Sequence, residues 1–581
     1  MKNKLCFLLL FFCFVSFPIF SQNMYLELNL NDSRRANPFA VPASPLEIFR
    51  VIERAALDDR VKGIILNIGS LSRSRDYLWE LRNSLEQFKA KDKKIAAFIS
   101  SADMDAYALA SIADKIVMDE TGYLRILGYS AGSGYVLRAL EKLGIGVREL
   151  RYFEYKSASE IFSRDSMSEA DRRQNNDYLD DIFNLTRSTI IKARNWTDEK
   201  FDAVLNNGFI FSAKDALNQN LIDRIGRKEA VLEIVNELEG EEVKNFAMYS
   251  IAGQYGGGTS LTGALSYTPP RAGGLFTRTE TIAVVYAEGE TDMESGMAAA
   301  SLSRTIRNLA DNKRIKAIVL RINSPGGSPE AADYIDEAVR YAKEKKPVVV
   351  SMGQLAASGG YWAAMNASHI AANPYTITAS IGVIGTWFYE DGLNEKLGIN
   401  LDILQRGAHA DLMTWFLIPY RDLNDQEEER YKLILQDTYR IFTEKVAAGR
   451  GMDMEKVEAA AQGRILSGIR ALDAGLVDSL GSLNDALRIA RELAEIPENR
   501  AVRYDEYPKL SFADRFLNQI PFISVLFRKS APQSIPFARL NQNAAADFFT
   551  NMFLPDGVRF RIENNGRIMA ILPLGFFTGG L

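Results

Sequence analysis

Ser358 lies in Ala356-Ala357-Ser358-Gly359-Gly360-Tyr361-Trp362, just after the apolar run Val348-Val349-Val350. A serine between a buried strand and a helix presents its hydroxyl at a tight turn. Ala356 and Ala357 leave room for a substrate, and Gly359-Gly360 lets backbone N–H groups approach a developing oxyanion. The same serine would also serve as a plain N-cap. As a nucleophile it needs a base. The chain's imidazoles are His369 and His409. One helix running from Ser358 to His369 would hold them roughly 16 Å apart at a rise of ~1.5 Å per residue, too far for direct proton transfer, while His409 stays open. A lysine base must be neutral, and at the ordinary pKa near ~10.4 only about one molecule in two thousand is neutral at pH 7. Such a lysine must therefore be withdrawn from water. Lys156 has Tyr152, Phe153, Tyr155 and Phe162 around it in sequence, surroundings compatible with a desolvated amine.

Lys156 is singled out by an internal repeat. Adding 254 to a residue number carries Lys62-Gly63-Ile64-Ile65-Leu66 onto Lys316-Ala317-Ile318-Val319-Leu320, Tyr107 onto Tyr361, Gly128 onto Gly382, and Glu141–Ile145 onto the identical Glu395–Ile399. After one inserted residue the match resumes, placing Gly208, Ala216, Asp223 and Gly226 on Gly463, Ala471, Asp478 and Gly481. The copies differ where chemistry would occur. Ser358 falls on Met104, and Ser324-Pro325-Gly326-Gly327-Ser328 falls on Ser70-Leu71-Ser72-Arg73-Ser74, so the first copy lacks both nucleophile and glycine turn. Lys156 falls on Ala410, so the second copy lacks that lysine. Division of labour is the simplest account: a serine from one copy meets a lysine from the other.

The elements that must hold these residues alternate between strand and helix. Strands are expected at Tyr25–Leu30, Lys62–Asn67 and Lys94–Ile99, and helices at Pro45–Ala56, Leu78–Lys89 and Glu169–Arg194, which is α/β character. A Gly- and Pro-rich stretch separates the copies. The expected organisation is a leader or anchor over 1–22, a first copy over 24–250 carrying the lysine, a linker over 251–279, a second copy over 280–500 carrying the serine, and an extension over 501–581. That extension holds an aromatic-rich stretch, Phe512 to Phe527, and a final strand, Gly566–Leu572.

Composition narrows the function classes. With 581 residues the chain exceeds one core, and 47% hydrophobic residues supply ample interior. A net charge of -5 leaves no basic footprint for nucleic acid. Both cysteines, Cys6 and Cys13, fall in the first apolar segment, so the body offers no thiolate nucleophile or cysteine zinc site, and two histidines make a metal centre poorly supported. Lys2 and Lys4 precede the uncharged run Leu5–Phe20, which directs the chain to or across a membrane.

The motifs Ser324–Ser328, Ala356–Trp362, Ala371-Ala372-Asn373-Pro374, Ser380-Ile381-Gly382-Val383-Ile384-Gly385 and Tyr155-Lys156-Ser157 resemble those of the signal peptide peptidase A (protease IV) family in its long tandem form, over nearly all of residues 25 to 500. The resemblance implies two Clp protease/crotonase-like domains of stacked β-β-α units. It also implies Ser358 as nucleophile, Lys156 as general base, Ser380 as the hydroxyl that orients the lysine, and N–H groups of Gly359 and the Gly326-Gly327 turn as the oxyanion hole. By the same resemblance the protein is a membrane-anchored homotetramer facing the periplasm that cleaves spent signal peptides and other apolar segments, with no metal, cofactor or nucleic acid. Two rivals stand beside it. A crotonase-like acyl-CoA enzyme shares the fold, but the leader argues against a cytosolic ligand. A catalytically silent scaffold would have no use for an intact serine, lysine and glycine turn.

Overall fold

The structure, a computed structural model, describes residues 23–30, 44–69, 73–250, 265–266, 279–413, 418–508 and 570–571. The leader, most of the 251–279 stretch and Phe512–Phe527 lie outside the described residues. The chain folds into two compact units. One is drawn from the described residues within 1–71, 84–126 and 206–271, the other from those within 72–83, 127–205 and 272–581. The second unit thus takes the Lys156 stretch of the first copy together with the whole second copy.

Within the first unit the sheet runs in the order Ile210–Ser212, Lys115–Arg125, Lys94–Ala102, Val61–Ile68, Met24–Asn29, Asn245–Ser250, Leu265–Ser266. All neighbours are parallel except Ile210–Ser212, which is antiparallel to Lys115–Arg125. In the second unit the order is Ile465–Ser467, Ile377–Ala379, Val348–Ala357, Ile315–Ser324, Glu280–Glu288, Val502–Tyr507, with Ile465–Ser467 antiparallel to its neighbour. Helices must cover both faces of such a sheet, so its central strands read as continuous apolar runs. Ile318, Val319 and Leu320, paired with Val348, Val349 and Val350, are wholly buried.

The sequence offset reappears as architecture. The helices Arg75–Lys89 and Pro329–Lys343 begin and end 254 residues apart, as do the starts of the strands Lys94–Ala102 and Val348–Ala357. Tyr107 donates to the Leu221 carbonyl at 2.7 Å, and Tyr361 donates to the Leu476 carbonyl at 2.9 Å. Asp223 accepts from the Ile116 N–H, and Asp478 from the Ile370 N–H, each at 2.8 Å.

One pairing brings the lysine stretch to the serine's unit. Ile145–Leu150 runs antiparallel to Gly385–Glu390, with Leu150 opposite Gly385, six residues before Lys156. Phe153 stacks on Tyr439 with ring centroids 4.0 Å apart, and the Tyr155 N–H donates to the Gln462 carbonyl at 2.9 Å. In the same unit Gly326–Gly327 pairs antiparallel with Ala570–Ile571, within the expected final strand.

Candidate active site

The helix expected after Ser358 is a single turn, Gly359–Trp362. Ser368 explains why: its N–H donates to the Val348 carbonyl at 2.8 Å, and its Oγ accepts from the Val348 N–H at 3.1 Å. These bonds return the chain to the sheet, where His369–Ala372 pairs parallel with Val349–Met352. Ser358 immediately precedes the helical turn, but its side chain makes no capping bond. Its backbone stands at φ 54°, ψ -114°, a region few non-glycine residues enter and one that costs ~1–3 kcal/mol. The Ser358 N–H donates to the Ala379 carbonyl at 2.7 Å, which helps hold the strained turn.

Lys156 Nζ lies 2.7 Å from Ser358 Oγ, 2.8 Å from the Ser380 carbonyl oxygen and 3.0 Å from Ser380 Oγ. All three residues are completely buried. Ser358 Oγ is also 3.5 Å from the Gly382 carbonyl oxygen, and Ser380 Oγ donates to the Gly463 carbonyl at 3.3 Å. Ser380 itself has φ 52°, and its N–H donates to the Arg464 carbonyl at 2.7 Å.

The amine is aimed by a frame around its backbone. Gln174, buried on the helix Glu169–Arg194, donates through Nε2 to the Tyr155 carbonyl at 3.2 Å and to Ser157 Oγ at 3.0 Å, while its Oε1 accepts from the Ile465 N–H at 3.1 Å. Ser157 Oγ donates to Asp171 at 2.6 Å. Burial raises the Asp171 carboxyl above the ordinary range despite the Ser157 and Gln174 hydrogen bonds, which pull the other way. One side chain thus ties the lysine's loop to the strand Ile465–Ser467.

The glycine turn lies against the residue after the serine. A Cβ on Gly359 would stand 3.2 Å from Gly327 N and 3.3 Å from Gly326 Cα. The N–H of Gly359 heads its helix, where backbone donors have no intrahelical acceptor. Gly327 has φ +154°, and a Cβ there would meet the Thr291 carbonyl oxygen at 2.3 Å, so no side chain fits.

The two histidines are engaged elsewhere. His369 Nε2 is 2.9 Å from Ser479 Oγ, and burial holds its ring below the usual histidine range. His409 Nδ1 is 2.7 Å from Glu427 Oε1, and Glu427 is itself held low, to about 2, chiefly by the Arg421 guanidinium. Among the described residues the hydrogen bonds of the Ser358 side chain go to Lys156 and the Gly382 carbonyl.

Gly463 is a site residue that the sequence did not single out as one. A Cβ there would strike Lys156 Cβ at 2.5 Å and Lys156 Cα at 2.7 Å. The available signal was its match to Gly208, but that glycine answers a different need, since its Cβ would meet the Phe211 ring at 2.0 Å. No group of three or more His, Cys, Asp or Glu side chains among the described residues is placed to hold a metal ion, and no described helix is long and apolar enough to cross a membrane.

The model of peptidase family S49 matches residues 87–242 and 340–497, and the Clp protease model matches residues 281–373. The chain is 30% identical over 466 residues to the chloroplastic serine protease SPPA of Arabidopsis thaliana, covering 79% of this chain and 67% of that protein. It is 29% identical over 486 residues to protease 4 of Salmonella typhi, covering 80% of this chain and 74% of that protein. A putative signal peptide peptidase SppA of Enterococcus faecium is 32% identical over 200 residues, 34% of this chain and 57% of that one.

Proposed function

We propose, because this chain belongs to peptidase family S49 and is a serine protease, that Ser358 is its nucleophile, Lys156 its general base and Ser380 the group that orients the amine. The observation that carries the reading is the buried 2.7 Å contact between Lys156 Nζ and Ser358 Oγ. A neutral amine has two N–H donors and one lone pair. With the donors on the Ser380 carbonyl and Ser380 Oγ, the lone pair is left for the serine's proton. Withdrawal of an ammonium from water favours that neutral form.

In the proposed reaction Ser358 Oγ attacks the scissile carbonyl carbon as its proton passes to Lys156 Nζ. The carbonyl π pair moves onto oxygen, where the N–H groups of Gly359 and Gly327 stabilise it; Gly326, expected beside them as a donor, has its N–H on Ser324 Oγ at 3.2 Å and shapes the turn instead. Collapse breaks the C–N bond, and the lysine returns its proton to the leaving amine. Water, deprotonated by the same amine, then adds to the acyl carbon, and collapse breaks the C–Oγ bond as the lysine hands that proton to Ser358 Oγ.

The substrate class we infer is peptides with small or apolar side chains at the cut, cleaved signal peptides among them. The quoted motifs and the named proteases at about 30% identity support this. The leader Leu5–Phe20 supports a cytoplasmic-membrane attachment with the body on the periplasmic side. The Clp protease match over residues 281–373 favours an oligomer, and a homotetramer is the form we propose.

Fluorophosphonate labelling with peptide hydrolysis tests the dyad. Ser358→Ala and Lys156→Ala are each expected to abolish hydrolysis, and the double variant to be hardly worse, because members of one catalytic unit lose their effect together. Substantial hydrolysis by Lys156→Ala would return His409 to consideration. Labelling at a serine other than Ser358 would displace the nucleophile.

A further inference from the structure

Thr291 follows the strand Glu280–Glu288 and is fully buried. Its backbone braces the glycine turn: its N–H donates to the Gly326 carbonyl at 2.8 Å, and its carbonyl accepts from the Ser328 N–H at 2.7 Å. Its hydroxyl is different. Among the described residues Thr291 Oγ1 has no hydrogen-bond partner and no access to solvent. It also lies against Gly359 and against Gly327 of the turn. A Cβ on Gly359 would stand 2.5 Å from Oγ1, and a Cβ on Gly327 would stand 2.7 Å from it.

An unpaired buried hydroxyl destabilises a fold, and valine would fill the same space without that penalty. Such an exception calls for an explanation, and a catalytic role is one of the few available. The neighbours supply it. The N–H groups of Gly359 and Gly327 are donors that would converge on a substrate carbonyl oxygen as negative charge develops there. A hydroxyl lodged against those two glycines finds its acceptor in the same oxygen.

We propose that the Thr291 hydroxyl is a third donor to the oxyanion, unpaired in the resting enzyme and satisfied in the tetrahedral intermediate. This rests on the assignment of Ser358 and the Gly359–Gly327 donors above. No proton leaves Thr291. The serine's proton still passes to Lys156, and Thr291 O–H only donates a hydrogen bond to the oxygen that receives the carbonyl π pair. It also gives Gly359 and Gly327 a shared reason to lack a side chain: a Cβ at either position would occupy the space this hydroxyl needs.

The experiment compares Thr291→Val with Thr291→Ser in the full-length protein, reading kcat and KM on a small-residue peptide ester, inhibition by a peptide aldehyde, and the thermal midpoint. Thr291→Val should lower kcat by about 10- to 100-fold with KM within about threefold, and should weaken the aldehyde in parallel, since the aldehyde adduct carries the same oxyanion. Its midpoint should be unchanged or higher, because the orphan is gone. Thr291→Ser should keep kcat within a few-fold. A Thr291→Val enzyme within twofold of the parent overturns the inference. So does a lowered midpoint or failure to fold, which would make the hydroxyl a structural group, and so does an equal loss in Thr291→Ser. If Ser358→Ala keeps its hydrolysis, the site assignment itself fails; if it is dead while Thr291→Val is fully active, only this inference fails.

Discussion

Lys156 is gripped at its backbone as well as at its amine. Gly463 has φ +80°, a conformation that strains any L side chain, and even a methyl group there would overlap Lys156 Cβ and Cα. Gly463→Ala should therefore push the lysine off Ser358 and lower kcat at least ~10-fold, although Gly463 itself does no chemistry. Single-turnover labelling by a fluorophosphonate would report it directly, and an unchanged labelling rate would show that the lysine's placement is tolerant. Ser380→Ala removes one of the two Ser380 acceptors of the amine but leaves the carbonyl, so the expected loss in turnover is about 10- to 100-fold, by analogy with ligand-orienting groups at metal sites. A full rate would reduce Ser380 to a turn residue. At this scale the sequence was legible where a residue type announces chemistry. Ser358 and Ser380 sit in recognisable motifs, and Lys156 showed itself by its absence from the second copy. Gly463 and Thr291 did not show themselves, because each acts through a contact with residues far away in the chain.

The element that carries Arg321, the strand Ile315–Ser324, holds a guanidinium inside the second unit against Glu80 at 2.7 Å and Asp76 at 3.4 Å. Both carboxylates come from the helix Arg75–Lys89 of the first copy. Burial pushes the Glu80 carboxyl up from 4.5 to about 7, outweighing the pull of Arg321 in the other direction. Because the folded value lies above the unfolded one, the native state keeps a proton that the unfolded chain has already lost between about pH 4.5 and pH 7. Stability should then fall as pH rises through that window, by on the order of 1–3 kcal/mol. Denaturation of the parent and of Glu80→Gln between pH 5 and pH 8 checks this. The glutamine variant should show a flatter profile, and parallel profiles would mean that Glu80 is charged throughout. Expected elements were found with ends moved by a residue or a few, except after Ser358. There, the sequence allows one helix running on from Ser358 to His369, and the bonds from Ser368 back to Val348 end it after one turn.

In the whole molecule the two copies share a framework but differ locally at the corresponding chemical positions. Met104 opens the helix Met104–Ala110 behind a conventional Asp103 cap at φ -88°, whereas Ser358 is itself strained at φ 54°. Ala410 is exposed, whereas Lys156 is completely buried. Met104→Ser with Ala410→Lys in a Ser358→Ala background restores both residue types, yet it should remain inactive. The new lysine would be solvated and protonated, and Leu71-Ser72-Arg73 replaces the Pro325-Gly326-Gly327 turn, where losing one oxyanion donor costs ~3 to 4 kcal/mol. Near-normal hydrolysis of a small-residue peptide ester would show the glycine turn to be dispensable. The repeat was legible because its register holds over long gap-free stretches. That the compact units cut across it was not, because exchange of a segment such as 127–205 leaves no mark on local composition. The distribution of the dyad also has a consequence in time. Lys156 and Ser358 stand 202 residues apart, so at ~5–20 residues per second the serine is added roughly 10–40 s after the lysine. Throughout that interval the nascent chain carries a base and no nucleophile, and any product stopped short of Ser358 is a protease fragment that cannot cut the chains being made around it.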